Sequence, residues 1–270
     1  MSTPAAPAVT IQTLARIKRE GRRIVMATAY DAISARWVQA GGIDAILVGD
    51  SLANTSLGHP DTIAATLDTM IAHCAAVARG SSRPLLIGDL PFMSYKVSPE
   101  QALQSAARMM QEGRMMAVKL EGGSEMAPTV LRLARAGIPV LGHVGLLPQS
   151  VHALGGYRLQ GRDELGGERL MEDALALEEA GAFAVVLEMI PAPLADRISR
   201  RLAVPTIGIG AGAGCDGQVL VLADLLGMTG APPYKFVRPY ASLMDQAVGA
   251  LGAWAEDVRQ GRFPAAEQTP

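Results

Sequence analysis

"DAILVGDS", Asp44–Ser51, runs four apolar residues, Ala45-Ile46-Leu47-Val48, straight into a polar ending, Gly49-Asp50-Ser51. A strand with one wet face alternates, whereas a run that is apolar throughout expects cover on both faces, as in a parallel sheet. Working outward, the same pattern recurs in "RIVMATAYD" (23–31), "PLLIGDL" (84–90), "MMAVKLEGG" (115–123), "IPVLGHVG" (138–145), "FAVVLEMIP" (183–191), "VPTIGIGAG" (204–212) and, more faintly, "YKFVRPY" (234–240). Amphipathic stretches separate these runs. "SPEQALQSAARMMQEG" offers Ser98 as N-cap, Pro99 at the first helical position, Gln101 for a capping box and Gly113 as terminator. "DAISARWVQAGG" and "GERLMEDALALEEAG" also end on glycine after apolar-periodic runs. Eight strands alternating with helices predict an α/β fold, a single-domain (β/α)8 TIM barrel.

The bulk properties fit. The chain has 270 residues, 49% hydrophobic and 19% charged, enough apolar side chain for a large core and too few charges for disorder. With a formal net charge of -2 and no basic run, nothing argues for nucleic acid or an anionic membrane as a partner. Cys74 and Cys215, far apart, suggest no disulfide framework, and a reduced, cytoplasmic setting is expected. "MSTPAAPAVT" lacks the basic and apolar regions of a signal peptide, and no apolar run nears the ~18 residues of a membrane span. Residues 1–9 and 264–270 are expected to be flexible arms on a catalytic barrel over 10–263, with Gly155–Gly167 a long loop after the fifth strand.

The strand ends carry the chemistry. They read Tyr30-Asp31, Asp50-Ser51, Asp89, Lys119 with Glu121, His143 and Glu188. In a barrel these ends meet on one rim, where such enzymes keep their active sites. Several carboxylates in one apolar cup raise one another's pKa unless a cation sits among them. Oxygen ligands, with one histidine as a further candidate, suit a hard ion such as Mg²⁺; no HxxxH or CxxC spacing suggests zinc. Taken singly, Asp50 or Asp89 would serve equally as a helix cap, and His143 as a core histidine bonded to backbone. Lys119 and Glu121, two apart on a strand, point the same way and form an ion pair or a site. Glu188, inside "AVVLEMIP", has the poorest structural excuse, since an unpaired buried carboxylate is costly; a base with a raised pKa explains it. "GIGAGAGCDG" (208–217) loosely satisfies a dinucleotide fingerprint, but it comes late and without the strand-end acid, so a backbone-exposing loop near a substrate's anionic end is the better reading.

Several motifs together, "VGDSL", "LGH", "DLPFMSY", "VKLEGG", "PVLGHVGLLPQS", "GGYRLQGR", "AGAFAVVLEMIP" and "PTIGIGAGAGCDGQVLVLADLLGM", closely resemble the ketopantoate hydroxymethyltransferase family from about Ile11 to Phe263. "AYDAISARWVQAGG" is similar to the wider phosphoenolpyruvate mutase and isocitrate lyase superfamily. The resemblance implies a cytoplasmic homodecamer acting in pantothenate synthesis. It would transfer a hydroxymethyl group from 5,10-methylenetetrahydrofolate to the 2-oxo acid 3-methyl-2-oxobutanoate, giving 2-dehydropantoate through a Mg²⁺-stabilised enolate. By motif, Asp50, Asp89 and Glu121 match the family's metal-site acids, and Asp50, Ser51, Asp89, Lys119 and His143 match groups that hold substrate. Glu188 matches the catalytic base. The chain departs from the family at Ala53–Ser56, at Ile63-Ala64-Ala65 where Leu-Pro-Val is common, and at Ala223 where histidine often stands. The alternatives are a Mg²⁺-dependent 2-oxo acid lyase or mutase of the superfamily, whose cysteine-bearing loop motif is absent here, and a non-catalytic barrel.

Overall fold

The computed structural model describes residues 7–269 and divides the chain at Val221/Leu222 into two compact units. The first holds a closed, eight-stranded parallel barrel in sequence order, as the alternating pattern predicts. Its strands are β1 (Ile24–Thr28), β2 (Ala45–Val48), β3 (Leu85–Asp89), β4 (Ala117–Glu121), β5 (Val140–Gly145), β6 (Ala184–Glu188), β7 (Thr206–Ile209) and β8 (Gly217–Leu220). Seven lie inside the runs identified from sequence. The eighth does not.

Residues 234–240 form no strand. They belong to the second unit, where Tyr234, Phe236 and Tyr240 are exposed and Pro239 lacks the N–H a ladder needs. The barrel closes instead through Gly217–Leu220, which pairs with β7 at Ile207↔Gly217 and with β1 from Ile24↔Gly217 to Ala27↔Leu220. This strand is four residues long and starts inside the glycine cluster, so it offers neither length nor β-branched run to a sequence reading. The loop after β5 is also shorter than expected. Asp163 caps a helix over Glu164–Glu179, so Gly166 and Gly167 are helical.

Inside the barrel, Met26, Leu47, Leu85, Ile87, Leu141, Val186, Ile207 and Val219 form one apolar core. Its N-terminal end is plugged by the helix Ile11–Arg19, which buries Leu14 and Ile17 in the same cluster. Lys18 ties that plug down, donating to the carbonyls of Ser199, Leu202 and Val204 at 3.0, 2.8 and 2.8 Å and pairing with Asp216 at 2.9 Å. With one end packed shut, the polar chemistry is left to the other.

Of the expected N-terminal arm, residues 1–6 lie outside the described residues; Val9 is buried and donates its N–H to the Arg83 carbonyl at 2.7 Å. The second unit, residues 222–270, contains helices Leu222–Leu225 and Leu243–Arg259 and the 3-10 turn Ala266–Gln268; Pro270 lies outside the described residues. Among the described residues no helix is long and apolar enough to cross a membrane.

Candidate active site

Parallel register decides which side chains meet at the open rim. Asp89 ends β3 opposite Lys119, Glu121 ends β4 opposite His143, and Glu188 ends β6 opposite Gly145. Asp50 and Ser51 follow β2 by two and three residues. Seven of the nine strand-end residues expected at the rim, Asp50, Ser51, Asp89, Lys119, Glu121, His143 and Glu188, line one cavity of about 110 Å³; Tyr30 and Asp31 do not, Asp31 instead capping the helix Ala32–Ala40. Its remaining wall is largely apolar, with Leu47, Val186, Ile209 and Val219. A larger cavity of about 520 Å³ opens beside the N-terminal helix, but its lining is Arg16, Arg19, Arg22 and Arg83 with a single acid, Asp44, and it holds no candidate base.

The polar groups form a chain. Lys119 Nζ donates to both Asp89 oxygens, at 2.8 and 2.7 Å, and stands 3.5 Å from Glu121 Oε1. The Asp50 N–H donates to Asp89 Oδ2 at 3.3 Å. His143 lies between two acids, its Nδ1 3.8 Å from Glu121 Oε1 and its Nε2 3.2 Å from Glu188 Oε2. Ser51 Oγ shares a 2.8 Å hydrogen bond with the Tyr30 hydroxyl.

Burial sets the charges. Asp50 is held well above the usual carboxylate range, first by desolvation and then by Asp89. Desolvation also lifts Glu121, against the pull of Lys119 and His143. For Lys119 desolvation works the other way, but Asp89, Glu121 and Asp50 outweigh it and keep the ammonium charged. Burial, helped by Lys119, lowers His143 to about 4, and burial raises Glu188 to about 8. The 3.2 Å contact between these two would suit an ion pair, yet both shifts oppose one. At neutral pH the pair is an imidazole beside a carboxylic acid, one proton away from a base.

One lysine faces three buried acids, Asp50, Asp89 and Glu121, and Glu121 Oε1 is buried with no hydrogen-bond partner. That donor set, all oxygen with excess negative charge, fits a hard cation. Among the described residues no three Asp, Glu, His or Cys side chains close on one point. An ion here would draw on the Asp50 and Asp89 carboxylates and complete its shell from substrate and water.

Four features escaped the sequence reading. Gln149 is buried between Asp50 and Glu121, and Tyr95 is buried behind it. Both sit in motifs quoted above, but a glutamine and a tyrosine in loops carry no signal of their own. Thr62 reaches the cavity from the altered loop after β2, its hydroxyl buried and without a partner. Met189, directly after Glu188, has φ 47, the left-handed region that side chains avoid and that clusters at functional sites. The glycine cluster after β7 contributes only Ile209, at its edge, to the cavity lining.

A family model for ketopantoate hydroxymethyltransferase matches residues 8–266. The 3-methyl-2-oxobutanoate hydroxymethyltransferase of Oleidesulfovibrio alaskensis is 54% identical over 100% of this chain and 93% of that protein. The protein of the same name from Acaryochloris marina is 52% identical over 95% and 99%. Among solved structures, phosphonopyruvate hydrolase in complex with oxalate and Mg²⁺ superposes with a TM-score of 0.64 at 16% identity, over 97% of this chain and 92% of that one. A 2,3-dimethylmalate lyase, of the PEP mutase/isocitrate lyase superfamily, gives 0.60 at 20% identity over 98% and 93%. At such identities these two speak for the fold alone.

Proposed function

The chain belongs to the ketopantoate hydroxymethyltransferase family, and on that premise we propose that it moves a one-carbon unit from 5,10-methylenetetrahydrofolate to C3 of 3-methyl-2-oxobutanoate, forming 2-dehydropantoate. The observation that carries this reading is that Glu188, a strand-end carboxyl pushed up by burial to about 8, lines the same cavity as Asp50, Asp89 and Lys119. A base of that strength suits a carbon acid activated by a neighbouring carbonyl.

Asp50 and Asp89 would hold Mg²⁺, with Glu121 reaching it directly or through water. When bound, that ion supplies a hard Lewis acid for the carboxylate and keto oxygens, which acidifies the C3–H bond. Ser51 and the Lys119 ammonium bind substrate oxygens, and Lys119 offsets the negative charge that grows as C3 loses its proton. Glu188 takes that proton at its carboxylate, beside His143 Nε2 at 3.2 Å. The C3 carbanion then forms a bond to the one-carbon unit of the folate. Both carbon–nitrogen bonds that held that unit to the folate break; water supplies the hydroxyl oxygen, and tetrahydrofolate departs with one proton from water and the one Glu188 took from C3 on its two nitrogens. The isopropyl end of the acid fits the apolar wall of Leu47, Val186, Ile209 and Val219. A homodecamer in the cytoplasm goes with the family.

The test is direct. Purified protein given 3-methyl-2-oxobutanoate and 5,10-methylenetetrahydrofolate should form 2-dehydropantoate with Mg²⁺ and lose that activity in a chelator. Folate-independent cleavage of a 2-oxo acid, with no 2-dehydropantoate formed, would move the chain to the lyases.

A further inference from the structure

Tyr95 and Gln149 take no part in the chemistry above, yet they are 0% and 1% exposed and lie directly behind its acids. Gln149 comes from the 3-10 turn Pro148–Ser150 that follows β5. Its amide is fully used. Nε2 donates to Asp50 Oδ2 and to the Leu90 carbonyl, both at 2.9 Å, and Oε1 accepts from the Tyr95 hydroxyl at 2.7 Å. Rotating the amide by half a turn would set its oxygen against two acceptors, so the orientation is fixed by the partners. The Gln149 backbone N–H donates to Glu121 Oε2 at 3.1 Å. One residue therefore grips two of the three acids proposed for the cation.

Tyr95 fixes Gln149 in turn. Its hydroxyl accepts the Glu121 N–H at 3.1 Å and directs its own proton to Gln149 Oε1, the shorter of its two acceptor contacts, rather than to the Glu121 carbonyl at 3.1 Å. The Lys119 ammonium is meanwhile engaged on both oxygens of Asp89. The side-chain donor facing the Asp50 carboxylate is Gln149. We propose that Gln149, locked by Tyr95, is a positioning residue that aims the Asp50 carboxylate at the cation; the inference rests on the function proposed above.

The physics is that of a ligand's outer support. A carboxylate binds a cation best when its plane is fixed, and a donor on Oδ2 holds that plane while leaving the second oxygen unclaimed by Gln149. A glutamine needed only for packing would have no reason to meet two acids at once. The Tyr95 hydroxyl thereby controls metal affinity although its hydrogen bonds reach Asp50 only by way of Gln149.

The test is a calorimetric titration of Mg²⁺ into full-length protein in a fixed excess of 3-methyl-2-oxobutanoate, free of folate so that no turnover occurs. Gln149→Met should raise the Kd for Mg²⁺ by about 10–100-fold, the usual loss when a ligand's support is removed. Tyr95→Phe, which deletes a single oxygen, should move the Kd in the same direction, and it keeps the test open if Gln149→Met does not fold. The double variant should bind no more weakly than Gln149→Met, because the tyrosine acts through the glutamine. Turnover of Gln149→Met should recover to within about 3-fold when Mg²⁺ exceeds the new Kd, since neither residue touches Glu188 or His143; a packing defect would not be rescued by metal. Unchanged Mg²⁺ affinity in Gln149→Met, or losses that add in full in the double variant, would overturn the relay. Absence of Mg²⁺-dependent keto-acid binding in the unsubstituted protein would instead remove the proposed function, and this inference with it.

Discussion

Replacing Glu188 by glutamine should remove activity and add stability, by amounts the structure allows to be worked out. Folding lifts this carboxyl from 4.5 to about 8, which corresponds to ~5 kcal/mol between its two protonation states. The folded protein holds the proton where the unfolded chain has released it. The group's contribution to stability is therefore full below about pH 4.5, declines by ~1.4 kcal/mol per pH unit, and is gone above about pH 8. Water trims the effect, because the side chain keeps 16% exposure. Glu188→Gln cannot titrate, so its stability advantage over the parent should widen between pH 5 and 8 and reach roughly 2–5 kcal/mol by pH 8.5. Chemistry should move the other way. Exchange of the C3 proton of 3-methyl-2-oxobutanoate with deuterated solvent, followed by NMR with Mg²⁺ and without folate, isolates proton removal. At sub-saturating keto acid its rate in the parent should rise about tenfold per pH unit up to pH 8 and then level. At pH 7 about a tenth of the carboxyl is ionised, so the rate there is about a tenth of the plateau. The variant should exchange about 10²–10⁴-fold more slowly while still binding metal and acid. A variant that exchanges at the parental rate would refute Glu188 as the base and pass the role to His143. A stability difference that stays flat with pH would refute the raised carboxyl.

Asp50→Ala and Asp89→Ala should each abolish Mg²⁺-dependent binding of the keto acid in calorimetry; unchanged binding in both would dissolve the proposed metal site. Lys119→Ala leaves Asp89 and Glu121 buried without their cation, so it should lower stability by ~3–5 kcal/mol in denaturant unfolding. It should also lower kcat/KM by at least ~10²-fold, and a few-fold effect would reduce Lys119 to an ion-pair partner. Gly145→Ala places a Cβ 2.2 Å from the Glu188 carbonyl oxygen at a residue with φ +99. It should cost more than ~2 kcal/mol and slow C3 exchange more than it weakens keto-acid binding, since the collision falls on the strand end that carries the base. Equal losses in both would mean a general distortion.

The order of residues alone carried the class of fold and the chemical inventory. Seven apolar runs such as Ala45–Val48 and Ala184–Glu188 could be read because a parallel strand covered on both faces leaves a mark in consecutive residues. Asp50, Asp89, Lys119, Glu121, His143 and Glu188 stood out together because each ends such a run and barrel closure brings those ends to one rim, although Glu188 alone lacked an ordinary structural explanation. Tertiary structure decided the remainder. Gly217–Leu220 became the closing strand because β1 and β7 each offered an unpaired edge, a demand set by barrel closure and invisible in four residues that begin with glycine. Gln149 and Tyr95 entered the site because the loops after β5 and β3 fold back behind the acids, and a neutral side chain gains meaning only from what it touches. The charge states, too, were decided there. That Glu188 holds its proton near neutral pH while His143 stays uncharged follows from desolvation, and desolvation is a property of the assembled rim rather than of any residue in it.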